Sequence, residues 1–256
     1  MLYIERWLTA SAVSPDGQPV QRSKGVPQGS VIGPVLMNLF MTYAFDEWMK
    51  REHPGNPFSR YADDAVAHCR SEAEAKKLLT AIEERLKECK LEMHPEKSGI
   101  VYCKDSVRWK EYPKTSFTFL GYEFRPRSAK RRNGKIWTRF LPAISASAMK
   151  RIRRVIRRWN LPRQTSVSLN ALARRYNTHI RGWMNYYSHF YKSALYRLYD
   201  HIDQKLVRWA QRKYRKLAGK PRRARAWLRT VVSRQPRLFV HWLAHGKVAV
   251  RTMGAV

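Results

Sequence analysis

Acidic residues are what the second half of this chain lacks. Of 256 residues, 51 are Lys or Arg and 19 are Asp or Glu, a formal net charge of +32. Residues 1–122 are nearly balanced, with 17 basic and 16 acidic side chains. Residues 123–256 hold 34 basic side chains and only three acids, Glu123, Asp200 and Asp203. Self-repulsion on that scale is costly unless a polyanion neutralises it, and each phosphate contacted releases condensed counterions. The basic half is therefore expected to bind nucleic acid rather than merely carry a solvated charged face. An anionic membrane surface is the weaker competitor.

Other absences narrow the class. Three cysteines, Cys69, Cys89 and Cys103, form no C-x-x-C pair, which excludes a disulfide framework or zinc knuckle and leaves them as buried small apolar residues. No uncharged apolar run reaches the ~18 residues a membrane helix needs. Glu5 and Arg6 interrupt the first apolar stretch, against a signal peptide. A reducing, cytoplasmic setting is expected. With 44% hydrophobic residues the chain is not a disordered basic tail, and its length suits one or two domains.

What is present reads as two grammars. Ser14-Pro15-Asp16-Gly17 is a turn. Residues 32–52 read as a helix with Leu36, Leu39, Phe40, Tyr43, Ala44 and Trp48 on its buried stripe. Two short strands follow, 58–62 and 65–69, separated by Asp63-Asp64 in a tight hairpin. Ser71 and Glu74 form a capping box opening a further helix. Gly99 to Tyr102 and Phe117 to Phe124 read as strands, and Pro126 to Gly134 as a basic loop. Beyond ~142 the pattern is helical, with Met149, Ile152, Ile156 and Trp159 on one face and further helices over 168–190 and 191–216. The fold class is α+β: an antiparallel sheet with backing helices, then an all-α basic region.

The sharpest chemical signal is Tyr61-Ala62-Asp63-Asp64. Two adjacent carboxylates at a hairpin tip crowd like charges, which a hard divalent cation relieves. Mg²⁺ takes a few carboxylate oxygens together with water and phosphate oxygens, and two such ions ~3.5–4 Å apart activate a hydroxyl and stabilise a leaving pyrophosphate. Turns are also rich in Asp for backbone reasons, so the doublet alone leaves both readings open. Around it stand Lys24-Gly25-Val26-Pro27-Gln28-Gly29-Ser30 upstream, then His94-Pro95-Glu96-Lys97 and Phe119-Leu120-Gly121-Tyr122 downstream.

This ordered set resembles the reverse transcriptases encoded by group II introns, from about Met1 to Trp242. The resemblance implies a partial polymerase palm over 1–125, a basic connector over 126–142, and a helical thumb and maturase domain X over 143–256. It implies that Asp63 and Asp64 are catalytic and hold Mg²⁺ in a two-metal site. Pro27, Gln28, Gly29, Tyr61, Ala62 and Lys97 would then lie near the template base and incoming nucleotide, and Phe119, Leu120 and Gly121 would form the primer grip. Arg181-Gly182-Trp183, Tyr186-Tyr187 and Lys213-Tyr214 match the domain X pattern. Implied RNA contacts are Arg153, Arg154, Arg157, Arg158, Arg174, Arg175, Arg181, Lys213, Arg222, Arg223 and Arg225. Implied partners are the intron RNA, an RNA template with its DNA primer, and deoxynucleoside triphosphates.

One departure bears on activity. Polymerases of this type need a third carboxylate on a strand before the Pro-Gln-Gly segment, and the only acids ahead of Gly25 are Glu5 and Asp16, neither suitably placed. The metal site is expected to be incomplete, the chain to be the C-terminal part of a longer protein, and an N-terminal fragment to be a possible partner in trans. Fingers and a terminal Cys/His endonuclease cluster are not recognisable. Alternative readings are a non-enzymatic RNA-binding splicing factor or a degenerate remnant. His241 and His245 are expected to be structural, and Trp183, Trp209, Trp227 and Trp242 mainly core.

Overall fold

The computed structural model describes residues 4–6, 12–13, 16–20, 31–130 and 134–244, with backbone alone at 12–13 and 19–20. By packing, the chain divides into two units, Met1–Ile100 and Val101–Val256.

In the first unit, strands β1 (Ala12–Val13) and β2 (Pro19–Val20) pair antiparallel around the Asp16-Gly17 turn. Helix α1 (Gly33–Met41), with Pro34 in its first turn, runs into a π turn over Thr42–Asp46 and then α2 (Glu47–Glu52). The π turn closes with Glu47 N donating to the Thr42 carbonyl, five residues back. The Ala44 carbonyl accepts instead from Arg85 Nε at 3.0 Å. An extra residue in a turn rotates everything around it. The buried stripe is therefore Met41, Ala44, Phe45 and Met49, while Leu39, Phe40 and Tyr43 are exposed. That corrects the stripe read from a 3.6-residue period, of which Ala44 alone is fully buried.

The chain then forms the hairpin β3 (Phe58–Tyr61) and β4 (Asp64–Ala67). Its register pairs Tyr61 with Asp64, so the loop is Ala62-Asp63 and Asp64 already belongs to the ladder, one residue earlier than the sequence suggested. Asn56 Nδ2 ties the hairpin base to the next helix, donating to the His68 carbonyl (3.1 Å) and Glu74 Oε1 (2.8 Å). Helix α3 (Glu72–Glu88) opens with the expected cap, Ser71 Oγ accepting from Glu74 N at 3.2 Å. The Glu74 carboxylate reaches back to Arg70 N at 2.6 Å. Met41, Phe45, Met49 and Leu78 form a small core, with Phe58 edge-on to Phe45 at 5.4 Å.

The second unit begins with an irregular stretch. Gly99 to Tyr102 is not a strand, because Tyr102 N bonds the Lys114 carbonyl (2.9 Å) within the loop rather than a ladder partner. A three-stranded antiparallel meander follows: β5 (Phe117–Phe119), β6 (Tyr122–Lys130) and β7 (Ile136–Ile144). The stretch 126–142, read as a basic connector, lies largely in β6 and β7, with Arg127 opposite Arg139 and Pro126 opposite Phe140. Phe117, Phe124 and Phe140 stack across its face. Helices α4 (Ala146–Arg158), α5 (Leu169–Tyr187), α6 (Tyr196–Lys213), α7 (Pro221–Arg234) and α8 (Val240–Ala244) complete the unit. Ser145 and Ser168 cap α4 and α5 through Ala148 N and Ala171 N.

One core joins sheet and helices. Tyr122 and Ile144 from the meander pack with Ile152, Ile180, Leu206 and Trp209 from the helices. At about 25 cal/mol per Å² of apolar surface removed from water, this burial dominates the unit's stability. Gln164 joins three elements: its Nε2 donates to Tyr176 Oη (2.8 Å), and its carbonyl accepts from Trp209 Nε1 (2.9 Å). His241 is fully buried, with Nε2 3.0 Å from Asp203 Oδ1, which also accepts from Trp242 Nε1 at 3.0 Å. That makes His241 a packing residue, as expected; His245 lies outside the described residues. Trp209 and Trp242 are buried, and Trp183 and Trp227 pack against the same core. The three cysteines are half-buried rather than buried.

The β5–β6 loop is locked onto α5. Leu120 (φ +49°) and Gly121 (φ +79°) both sit in the left-handed region, the backbone a two-residue hairpin needs when both central residues have positive φ. Tyr186 Oη donates to the Leu120 carbonyl at 2.8 Å, Ser145 N to the Gly121 carbonyl at 2.9 Å, and Tyr122 Oη to the Tyr186 carbonyl. A Cβ on Gly121 would stand 2.8 Å from Tyr187 Oη. Gly121→Ala is therefore expected to lower stability by ~1–3 kcal/mol in urea unfolding followed by tryptophan fluorescence. Adding Tyr187→Phe should restore part of the loss; an unchanged midpoint in Gly121→Ala would contradict the close approach.

Candidate active site and nucleic-acid interface

The two-residue hairpin pushes Asp63 to the tip of the first unit. Ala62 takes φ +55°, unusual for a residue with a Cβ, and this turns the chain within the loop. Tyr61, Ala62, Asp63, Asp64 and Ala65 are all exposed, Tyr61 at 65%. Among the described residues neither Asp63 nor Asp64 enters a salt bridge.

The tip is held from behind by Arg60, which the sequence reading missed. Its guanidinium grips Asp46 with two bonds, Nε to Oδ1 at 2.7 Å and Nη2 to Oδ2 at 2.6 Å. Nη1 donates to the Ala62 carbonyl at 2.7 Å and to Asn38 Oδ1 at 3.0 Å. The pair is largely out of water, with side chains 8% and 18% exposed. The hydrogen bond to Asp46 raises the Arg60 pKa further above an already high value, so it stays charged. One side chain thus fixes the loop carbonyl beside Asp63 to the α1–π-turn segment. Nothing in the spacing of Asp46 and Arg60, fourteen residues apart, could have announced the pair.

The donor set suits a hard cation. Two exposed carboxylates match Mg²⁺, which usually binds one or two carboxylates and fills its octahedron with water and substrate phosphates. Among the described residues no three His, Cys, Asp or Glu side chains gather at one point. Lys97 is exposed in the turn after His94, within the same unit as the tip. Pro27, Gln28 and Gly29 lie outside the described residues. Phe119, Leu120 and Gly121 belong to the second unit, in the locked loop described above.

The expected RNA contacts all fall on the second unit. Arg154, Arg157 and Arg158 of α4, Arg174, Arg175 and Arg181 of α5, and Arg222, Arg223 and Arg225 of α7 are exposed. Arg153 is half-buried, and its Nε has no partner. Lys213 plays a structural part as well: Nζ donates to the carbonyls of Thr165 (2.7 Å) and Val167 (3.2 Å) and lies 5.5 Å from the Trp209 ring centroid. His201, on α6, is half-buried with Nε2 unpartnered. Burial first, then the charges of Lys205, Arg153, Arg157 and Arg208, hold its pKa below the usual histidine value.

Two family models match the chain. Residues 1–124 match the family model for reverse transcriptase (RNA-dependent DNA polymerase), and residues 149–228 match that for the group II intron maturase-specific domain. The chain belongs to the group II intron reverse transcriptase–maturase family. A search of curated proteins found no match. The acidic tip lies in the reverse transcriptase match, and most of α4 to α7 in the maturase match. Reverse transcriptase domains use divalent metal ions and act on nucleic acid, so this reverse transcriptase–maturase has nucleic-acid partners. No described helix is long and apolar enough to cross a membrane.

Two outcomes follow from this geometry. Arg60→Ala leaves Asp46 and the Ala62 carbonyl without their donor, and should cost about 3 kcal/mol of first-unit stability. Arg60→Ala combined with Asp46→Ala should cost less than the sum of the two single changes; strict additivity in urea unfolding would refute the pairing. For His201, the unfolded chain takes up the proton more readily than the folded one. Its contribution is complete above the unfolded value of ~6.5 and lost as pH falls toward the lower folded value. His201→Gln should therefore flatten the fall in urea midpoint between pH ~7.5 and ~5.5, and an unchanged pH dependence would count against it.

Proposed function

We propose that this chain serves group II intron RNA in two ways: Asp63 and Asp64 provide magnesium carboxylates for RNA-directed DNA synthesis, and the basic helical unit binds the intron and favours its splicing-competent fold. The observation that carries the polymerase reading is the exposed carboxylate pair at the hairpin tip, Asp63 in the two-residue loop pinned by Arg60 and Asp64 opening β4, neither in a salt bridge among the described residues. The maturase reading is supported by 34 cations against three acids in residues 123–256.

In this mechanism Asp63 and Asp64 hold Mg²⁺ at the tip. When bound, the metal supplies positive charge that polarises phosphoryl oxygens and lowers the pKa of an attacking hydroxyl. Arg60 keeps the loop carbonyl fixed, so that neither carboxylate must reorganise as charge develops. Lys97 offers a cation for the phosphates of an incoming deoxynucleoside triphosphate. The templating base is the contact we assign to Pro27-Gln28-Gly29, and the DNA primer on its RNA template the one we assign to Phe119-Leu120-Gly121.

Two carboxylates are one short of the set such polymerases use. Losing one ligand of three weakens both affinity and geometry, and electrostatic stabilisation supplies most of phosphoryl-transfer catalysis. DNA synthesis by this chain alone is thus expected to be weak or absent, and to rise when a fragment carrying a third carboxylate on a strand is added. The second reading, an RNA-binding splicing factor without polymerase activity, is favoured because no third acidic side chain joins Asp63 and Asp64 among the described residues.

Primer extension on a primed RNA template, with and without that fragment, separates the two. Extension that requires the fragment and disappears in Asp63→Ala supports the polymerase reading. Binding to structured intron RNA should survive Asp63→Ala and weaken linearly with log salt, by a slope of ~0.7–0.9 per phosphate contacted. Extension that persists in Asp63→Ala would remove the tip from catalysis, and a chain that does not bind RNA at low salt would overturn both readings.

A further inference from the structure

A cleft of about 520 Å³ on the helical unit gathers cations from three elements. Arg157 comes from the end of α4, Arg163 from the 3-10 turn that follows, and Lys205, Arg208 and Arg212 from α6. No Asp or Glu lines it. On α6, His201, Lys205, Arg208 and Arg212 are spaced 4, 3 and 4 residues apart, which puts all four on one helix face. On α4, Arg153 and Arg157 are one turn apart in the same way.

Arg157, Arg163, Arg208 and Arg212 are exposed and Lys205 is half-buried. Behind this lining, on the same two helices, Arg153 Nε and His201 Nε2 are buried without hydrogen-bond partners. Burial, Arg208 and Arg157 together hold the Lys205 pKa below its usual value. The fold therefore keeps like charges against one another with no Asp or Glu in the cleft lining, an arrangement that a bound polyanion relieves. The lining contains no aromatic ring on which a base could stack; it adds the amides of Asn160 and Gln211, which suit sugar hydroxyls and phosphate oxygens.

We propose that this cleft binds the phosphodiester backbone of folded RNA, seating adjacent phosphates between α4 and α6. The site rests on the RNA-binding reading above and deepens it. It adds Arg163, Lys205, Arg208 and Arg212 to the interface and makes the contact one of shape and phosphate rather than base sequence.

The test uses the full chain and a fluorescent RNA hairpin, with anisotropy read across a salt titration. The cleft variant is Lys205→Gln/Arg208→Gln/Arg212→Gln. The charge-matched control is Lys77→Gln/Lys87→Gln/Lys90→Gln on the first unit. Circular dichroism checks folding, and the single variant Arg208→Gln serves if the triple unfolds. The cleft triple should bind on the order of tenfold more weakly and lower the salt slope by about 2–3, and Arg208→Gln by about 0.9; the control should change little. Equal effects of triple and control, with wild-type binding intact, overturn the cleft and leave the RNA-binding reading standing. No RNA binding by wild type overturns both. Inorganic phosphate and a deoxynucleoside triphosphate, each assayed alone by thermal shift, distinguish the source. A saturable shift abolished by the triple, with RNA affinity unchanged, would make this a free-nucleotide site and refute the proposal.

Discussion

Three carboxylates face thirty-four cations in residues 123–256, and the second unit is built around that shortage. Glu123 pairs with both Arg125 and Arg127, at 2.9 and 2.8 Å. Asp203 binds His241 and Trp242 and so anchors α8 against α6. Neither is spent on the outer faces of α4, α5 or α7. Cohesion must then come from apolar burial, from capping serines and from tyrosine and glutamine hydrogen bonds that involve no charge. Arg154, Arg157 and Arg158 of α4 and Arg222, Arg223 and Arg225 of α7 are exposed and pair with neither Glu123 nor Asp203.

The first unit solves the reverse problem. Its charges are balanced, so an acidic tip could easily be cancelled by a neighbouring cation. Arg60, in the strand leading to the tip, is instead committed to Asp46 in a bidentate pair and reaches the loop through the Ala62 carbonyl. A neutralised guanidinium supplies rigidity without supplying net charge. Such a pair is weak evidence for stability as such, but it accounts for how two carboxylates stay both fixed and available.

Much of this was legible in the sequence because short-range physics fixed it. The Ser71–Glu74 cap, the tight hairpin, the helical region after 142 and the buried tryptophans follow from local spacing. What escaped depended on distant partners. The π turn at Thr42–Asp46 shifts the buried stripe, and its Ala44 carbonyl is satisfied by Arg85, 41 residues away. The meander was hidden by Pro126 and a run of Lys and Arg. Yet β5 pairs only with residues 122–124 of β6, so at Pro126 that side of β6 has no described neighbour. A missing N–H there breaks no ladder bond on that side. Charged residues likewise suit an edge, where they discourage further pairing.

The two candidate sites obey one electrostatic rule applied with opposite signs. At the hairpin tip a carboxylate pair lacks cations, and at the α4–α6 cleft a cationic cluster lacks carboxylates. Each arrangement is unfavourable in the isolated chain, since like charges repel and part of the cluster is out of water. Each becomes favourable with a particular visitor, a hard metal ion in one case and a phosphate backbone in the other. A protein selected only for stability would pair these groups internally, as it pairs Arg60 with Asp46 and Arg127 with Glu123. That it pairs those and, among the described residues, leaves Asp63, Asp64 and the α6 stripe without salt-bridge partners separates the charges that hold the fold from the charges that face a ligand.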